Sequence, residues 1–326
     1  MRIVFVGQGK WSKHLADALN RTSGERLACT HWSIDTPRAV LSLRNFGAAM
    51  GSDVLVRVGF RPGARSLKGW CFDALWVSML RANRKARPFI YWIGSDVSDA
   101  LHDLEQKRRN RRLESIVNRA RSIAGSDRLT AELATAGIVA DNVPFPGGFN
   151  QVPETVAALP TDFSVLTYVP DGRFEFYGGP SVISAAKALP SVRFLVVGGL
   201  GTWATDVPSN LQFLGWRDDM PDLLEKSSAV VRMVRHDSFG GTAGEALMYA
   251  RHLIYSYELP FSTYVEFGDE LSLIAALSKL SDANLAGTLA PNREGREWIL
   301  SEFDQEARLR HLQETLTNRI SPMETP

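Results

Sequence analysis

The sequence predicts an α/β chain of two doubly wound parallel domains. Three observations predict it. Short runs rich in β-branched and aromatic residues alternate with helix-period segments along the chain. Near residue 150 that rhythm breaks, where Pro144, Pro146, Gly147, Gly148 and Pro153 crowd together, and then it restarts. Charge divides at the same place. Residues 1–150 hold 23 Lys and Arg against 13 Asp and Glu, a net of +10; residues 151–326 hold 14 against 23, a net of −9, and the two sum to the +1 of the whole chain.

The elements follow in order. Ile3–Val6, Leu27–Thr30, Val54–Val58 and Phe89–Ile93 read as strands covered on both faces. Lys13–Asn20 and Trp70–Arg81 read as helices between them, and Gly125–Gly137 as a short helix capped by Ser126 or Asp127. After the breaker-rich linker come strand Ser164–Tyr168, helix Ser181–Leu189, and strands Arg193–Val197, Leu211–Leu214, Ala229–Val234 and His252–Tyr255. Beyond Pro291 one long helix is expected, with Leu300, Phe303, Ala307 and Leu316 near one face. It either packs on its own domain or crosses back to brace the first. The expected division is 1–150, 151–300 and a C-terminal helix and tail over 301–326.

Composition removes other classes. With 44% hydrophobic and 22% charged residues in 326, the chain fills large cores and is not disordered. Two cysteines, Cys29 and Cys71, make neither a disulfide framework nor a zinc site. No apolar run reaches the roughly 20 residues of a membrane-spanning helix. The N-terminus opens directly on a strand, so no secretory signal is expected, and the expectation is a cytoplasmic protein. Neither a metal centre nor a cofactor is expected.

Two segments carry chemistry. The first is Gly7-Gln8-Gly9-Lys10-Trp11-Ser12, directly after the first strand. A strand–glycine–helix turn lets backbone amides approach an anion. Ser12 stands where a dinucleotide fingerprint wants its third glycine, and Asp35 lies where a ribose-binding acid would fall. A nicotinamide site and a tight turn without a ligand both remain open. The second segment follows strand Ala229–Val234 and runs Arg235-His236-Asp237-Ser238-Phe239-Gly240-Gly241-Thr242-Ala243-Gly244-Glu245. Asp237 is expected at the strand end and Glu245 about one turn into a helix opened by Gly240–Thr242. One acid would then hold a hexose and the other a ribose, with helix-end amides on a diphosphate between them. A plain strand–loop–helix with a capping Asp is the alternative.

The acid pair, with Phe239-Gly240 between and Glu245-Ala246-Leu247 at its end, resembles the donor-site signature of family 4 retaining glycosyltransferases. Other segments agree in order. Ser126–Leu129 through Gly137-Ile138 to Pro144–Pro146 is similar to the end of that family's N-terminal domain. Phe194–Gly199 resembles its second C-domain strand, and Asn210–Trp216 with Asp219–Pro221 its base-binding loop. Tyr91–Asp96 resembles its N-domain strand end. The resemblance covers about residues 1–315 and implies the GT-B fold, two Rossmann-like domains facing across a cleft. It also implies retaining, metal-independent transfer of a sugar from a nucleoside diphosphate donor. By position, Asp237 would hold donor sugar hydroxyls, Glu245 the ribose, and Gly215, Trp216 and Arg217 the base. Ser238, Phe239, Gly240, Gly241 and Thr242 would line the diphosphate and sugar, and Gly9 would admit the donor phosphates or the acceptor. On the acceptor side stand Asp96 and Trp92, the latter as a ring for a sugar.

Three departures stand out. The first acid is Asp where the family usually has Glu. The family's N-domain histidine falls on Ile93. The usual Arg-x4-Lys phosphate clamp is broken, with Arg173 surviving and Tyr177 near the lysine position. Less positive charge then meets the leaving diphosphate unless Arg173, Arg235 or the helix dipole supplies it.

The basic half bears on the acceptor, a glycan or lipid-linked molecule. Residues 107–112 are expected in a basic helix running on to Arg119 and Arg121, with Arg57, Arg61, Arg65 and Lys68 nearby. Together with Trp70, Phe72, Trp76 and Met79 these suit an anionic membrane surface; otherwise the aromatics are core and the arginines a solvated face. No nucleic-acid module is visible. A GT-B-shaped sugar-nucleotide epimerase, a nicotinamide oxidoreductase, and a catalytically degenerate binding subunit remain as alternatives.

Overall fold

A computed structural model describes every residue except 8, 37, 39–41, 61–66, 106–115, 148–151 and 319–326. The described residues fall into two compact units. One comprises those from Met1 to Gly148 with those from Asp304 onward; the other comprises those of Phe149–Phe303.

In the first unit the apolar runs become strands β1 (Arg2–Gly7), β2 (Ala28–Ser33), β3 (Val54–Val58), β4 (Arg87–Trp92), β5 (Arg121–Ala124) and β6 (Ala140–Asn142). They form one sheet in the order β2-β1-β3-β4-β5-β6, with every pairing parallel. Side chains alternate between two cores. Ile3, Phe5, Val54, Val56, Phe89 and Tyr91 face one layer with Leu15 and Leu19 of helix Gly9–Ser23 and with Leu309, Leu312 and Leu316 of helix Gln305–Thr317. Val4, Val6, Leu55, Ile90 and Trp92 face the other, with Trp76, Met79, Leu129 and Leu133.

In the second unit the strands are β7 (Ser164–Tyr168), β8 (Arg193–Val197), β9 (Leu211–Gly215), β10 (Ala229–Arg232), β11 (His252–Tyr255) and β12 (Thr263–Tyr264). Their order is β12-β11-β10-β7-β8-β9, again parallel throughout. Val165, Phe194, Val231 and Ile254 pack on one face and Leu166, Leu195, Val230 and Leu253 on the other. The direction of winding reverses between β1 and β3 in the first sheet and between β7 and β10 in the second. Ligands of open α/β sheets bind at such switch points, beyond the carboxyl ends of the strands.

Several expectations need correction. The tail is two helices, Arg293–Glu302 and Gln305–Thr317, because Asp304 accepts the Ala307 amide at 3.0 Å and starts the second. The expected single face does not exist: Phe303 packs in the second unit's core and Leu316 in the first's. Arg121 opens β5 and pairs with Asp141 at 2.7 Å, so no basic helix extends to it; residues 107–112 lie outside the described residues. Strand β10 stops at Arg232, two residues early. Among the described residues no helix is long and apolar enough to cross a membrane.

Candidate functional site

The second unit's switch point gathers the residues that the acid pair singled out. Strand β10 delivers Arg232, and a loop of eight residues then leads to helix Gly241–Met248. Asp237 stands in that loop and not at the strand end. Its Oδ2 accepts from Arg232 Nε at 2.7 Å and from the Tyr255 hydroxyl at 3.0 Å, and its Oδ1 accepts the Ser238 amide at 3.1 Å. Arg232 and Asp237 are 10% and 13% exposed in their side chains, so this is a nearly buried ion pair. Burial, the largest single influence, would lower the Arg232 pKa; the charge and hydrogen bond of Asp237 together with the phenols of Tyr255 and Tyr177 outweigh it and hold the guanidinium protonated. Burial, then the Asp237 charge, drives the Tyr255 phenol well up, so its hydroxyl stays a donor.

Gly240 precedes the helix and must be glycine, because a Cβ there would strike Arg232 Nε and Asp237 Oδ2. In front of Gly241 there is open space. Gly241 is exposed, and the start of a helix leaves its first amides without intrahelical partners, a place where an anion can be met. Glu245 is the fifth residue of the helix and half-buried.

Two other loops flank this point. After β7, Asp171 accepts the amides of Leu200, Gly201 and Thr202 at 2.9, 2.9 and 3.2 Å. Those amides, Leu200 first, hold its carboxyl below the usual range. The exposed Arg173 lies over the Phe176 ring at 3.9 Å. Tyr177 lies 5.8 Å from the guanidinium carbons of both Arg173 and Arg232. Gly178, at φ +64°, brings this loop against Met233 beyond β10. At the end of β9, Gly215 turns at φ +68°, and its carbonyl accepts the Gly198 amide at 2.8 Å. Trp216 is 66% exposed, with Nε1 donating to Asp218 at 3.1 Å, and Arg217 forks onto Asp219. An exposed indole beside a satisfied cation is a platform on which a planar base would stack.

In the first unit the glycine turn is occupied from within. The Gly9 amide donates to Asp35 Oδ2 at 2.8 Å, and a Cβ on Gly9 would come within 2.5 Å of that oxygen. Asp35 is thus the turn's own carboxylate partner. Asp96 is buried and accepts the amides of Gly94, Phe60 and Ile93 at 2.7, 3.1 and 3.2 Å. Burial pushes its pKa up, and these amides oppose the shift. Asp96 therefore ties the ends of β3 and β4 together. The expectation for Trp92 is corrected: it is fully buried, with Nε1 donating to Ser122 at 3.1 Å, and offers no face to a sugar. Phe72, Trp76 and Met79 are likewise core. Arg57 is buried too, paired with Asp73 and packed on the rings of Phe60 and Phe72 at 4.1 and 4.5 Å, so it leaves the basic surface.

Two residues at the switch point escaped the sequence reading, Arg232 and Tyr255. The available signal was a cation inside an otherwise apolar strand, Ala229-Val230-Val231-Arg232-Met233-Val234.

No family model matches the chain, and no curated protein matches it. Solved structures do. HepE of Anabaena, solved with UDP and glucose, superposes with a TM-score of 0.70 at 14% identity, covering 97% of this chain and 99% of that one. The lipopolysaccharide outer core galactosyltransferase WaaB gives 0.64 at 12%, covering 98% and 100%. TarM gives 0.59 at 10%, covering 84% of this chain, which spans 58% of TarM's length. Two parallel six-stranded sheets with interleaved helices give the chain the GT-B fold of these structures.

Proposed function

We propose that the protein is a retaining glycosyltransferase that moves a sugar from a nucleoside diphosphate donor to a hydroxyl of a glycan or lipid-linked acceptor, in the synthesis of a polysaccharide or surface glycan. The observation that carries this reading is the acid pair Asp237 and Glu245 around a glycine-opened helix, at the switch point of the second sheet. HepE solved with UDP-glucose, and WaaB, named a galactosyltransferase, support it at the level of fold.

The roles follow from chemistry. Glu245 receives the ribose hydroxyls, and Trp216 with Gly215 and Arg217 frames the base. Amides at Gly241 and Thr242 and the cation of Arg173 meet the diphosphate, with Ser238, Phe239 and Gly240 shaping the loop. Asp237 presents Oδ1 to the sugar, since Oδ2 is committed to Arg232 and Tyr255. In the reaction the bond between the anomeric carbon and the β-phosphate oxygen breaks, and its electron pair stays on the diphosphate. The acceptor oxygen bonds to the anomeric carbon, and its proton passes to a diphosphate oxygen. Preorganised amides and cations lower the barrier by meeting the charge that develops there. The reading needs no metal and no cofactor, and no protein nucleophile is assigned.

Turnover of a panel of nucleotide sugars by the protein and by Glu245→Gln tests this. Losing a charged acceptor for ribose hydroxyls costs about 1.5–3 kcal/mol, roughly 10- to 100-fold in donor affinity. Wild-type affinity in the variant removes the assignment. A second reading, a degenerate binding subunit, is favoured by the engagement of Asp237 with Arg232 and Tyr255. Nucleotide binding with neither transfer nor hydrolysis across the panel identifies it.

A further inference from the structure

The broken phosphate clamp leaves a question of charge. Tyr177 stands near the clamp's lysine position and brings no cation. Arg232 arrives from another element and places its guanidinium carbon 5.8 Å from the Tyr177 ring. Its Nε donates to Asp237, which also accepts from Tyr255, so the guanidinium is anchored at that end. Its side chain is nine-tenths buried, and its two Nη groups have no hydrogen-bond acceptor among the described residues. A planar guanidinium anchored at Nε keeps two Nη groups, with four N–H donors between them, and these suit two oxygens of one phosphate. It sits at the carboxyl end of β10, beside β7, where the sheet's winding reverses.

We propose that Arg232 is the relocated cation of the diphosphate site, and that Asp237 and Tyr255 are the positioning residues that aim it. The inference rests on the glycosyltransferase reading, and deepens it by assigning a residue to the donor's β-phosphate. When the anomeric bond breaks, negative charge grows on that phosphate. A cation already buried and oriented meets it without reorganisation. The requirement for glycine at 240 follows from the same arrangement, because a side chain there would displace Arg232 from Asp237.

The test measures affinities of the protein, Arg232→Gln, Arg232→Lys and Arg173→Gln for UDP, GDP, ADP and CDP and for the matching monophosphates. Thermal melting of each variant reports its folding. The expected result is that Arg232→Gln loses at least tenfold for the best-bound diphosphate and little for its monophosphate, and that Arg232→Lys recovers part of the loss. Introducing Tyr177→Lys into Arg232→Gln should also restore affinity, since it returns a cation to the same place. Unchanged diphosphate affinity in a folded Arg232→Gln overturns the proposal. So does a diphosphate-specific loss confined to Arg173→Gln. If Arg232→Gln fails to fold, Arg232→Lys decides alone: full wild-type preference for diphosphate over monophosphate overturns the proposal, and a weakened preference supports it. If wild-type protein binds no nucleotide at all, the glycosyltransferase reading has failed, and with it the ground on which this inference stands.

Discussion

At the scale of single residues, burial separates side chains that look alike in sequence. Trp92 and Trp216 both follow apolar runs, yet one is wholly enclosed and the other two-thirds exposed. Trp92→Ala should therefore cost about 3–5 kcal/mol in urea unfolding. Trp216→Ala should stay within about 0.5 kcal/mol while weakening nucleotide binding. His252 offers a pH test. Burial lowers its pKa from 6.5, and its Nε2 sits 2.9 Å from the Ala290 carbonyl. The unfolded chain thus binds the proton more tightly, so this histidine's share of stability is intact above pH 6.5 and is lost as pH falls below it. Urea titrations between pH 7 and 5 should show a shallower decline in His252→Gln. An identical decline would remove the histidine from that slope. The Arg232–Asp237 pair shows the limit of spacing arguments. The sequence marks Asp237 as a candidate acid, but that its Oδ2 is spent on a strand-end arginine depends on where β10 stops.

At the scale of elements, strands were more legible than helix ends. Runs such as Val54–Val58 and Ser164–Tyr168 emerge with their expected bounds because both faces are buried and the pattern is continuous. The cap at Ser126 was also legible, and its side chain accepts the Leu129 amide. The tail was not. Its apolar residues can be drawn on one helical face, but Asp304 competes by capping a new helix, and the chain restarts there. Asp304→Ala should cost about 1 kcal/mol and loosen the last helix, measured as faster amide exchange over residues 305–317. Exchange as slow as in the unaltered protein would show that packing of Leu309, Leu312 and Leu316 alone fixes it. The basic aromatic helix was ambiguous because a core face and a membrane face have the same composition. Burial of Phe72, Trp76 and Met79 resolves it toward the core.

At the scale of the whole molecule, the charge split gains meaning. The division in net charge near residue 150 falls close to the boundary between the two compact units. The proposed donor site lies in the acidic half, so its attraction for a diphosphate is local: helix-end amides, Arg173 and Arg232 against an unfavourable background. The basic half keeps its excess even though Arg57 is buried. Binding to anionic vesicles should be measurable at low salt and fade as the Debye length shrinks from about 30 Å at 0.01 M to about 8 Å at 0.15 M. No binding at low salt would leave the arginines as a solvated face. A nucleoside diphosphate held in the second unit by Glu245 and the loops around it should register in thermal denaturation with UDP, GDP, ADP and CDP. A ligand at 100 times its Kd adds about 2.7 kcal/mol to the native state. One of the four is expected to raise Tm by an amount that grows with the logarithm of its concentration above Kd, and Glu245→Gln to lose most of that shift. No shift with any of them, or an undiminished shift in Glu245→Gln, would contradict it.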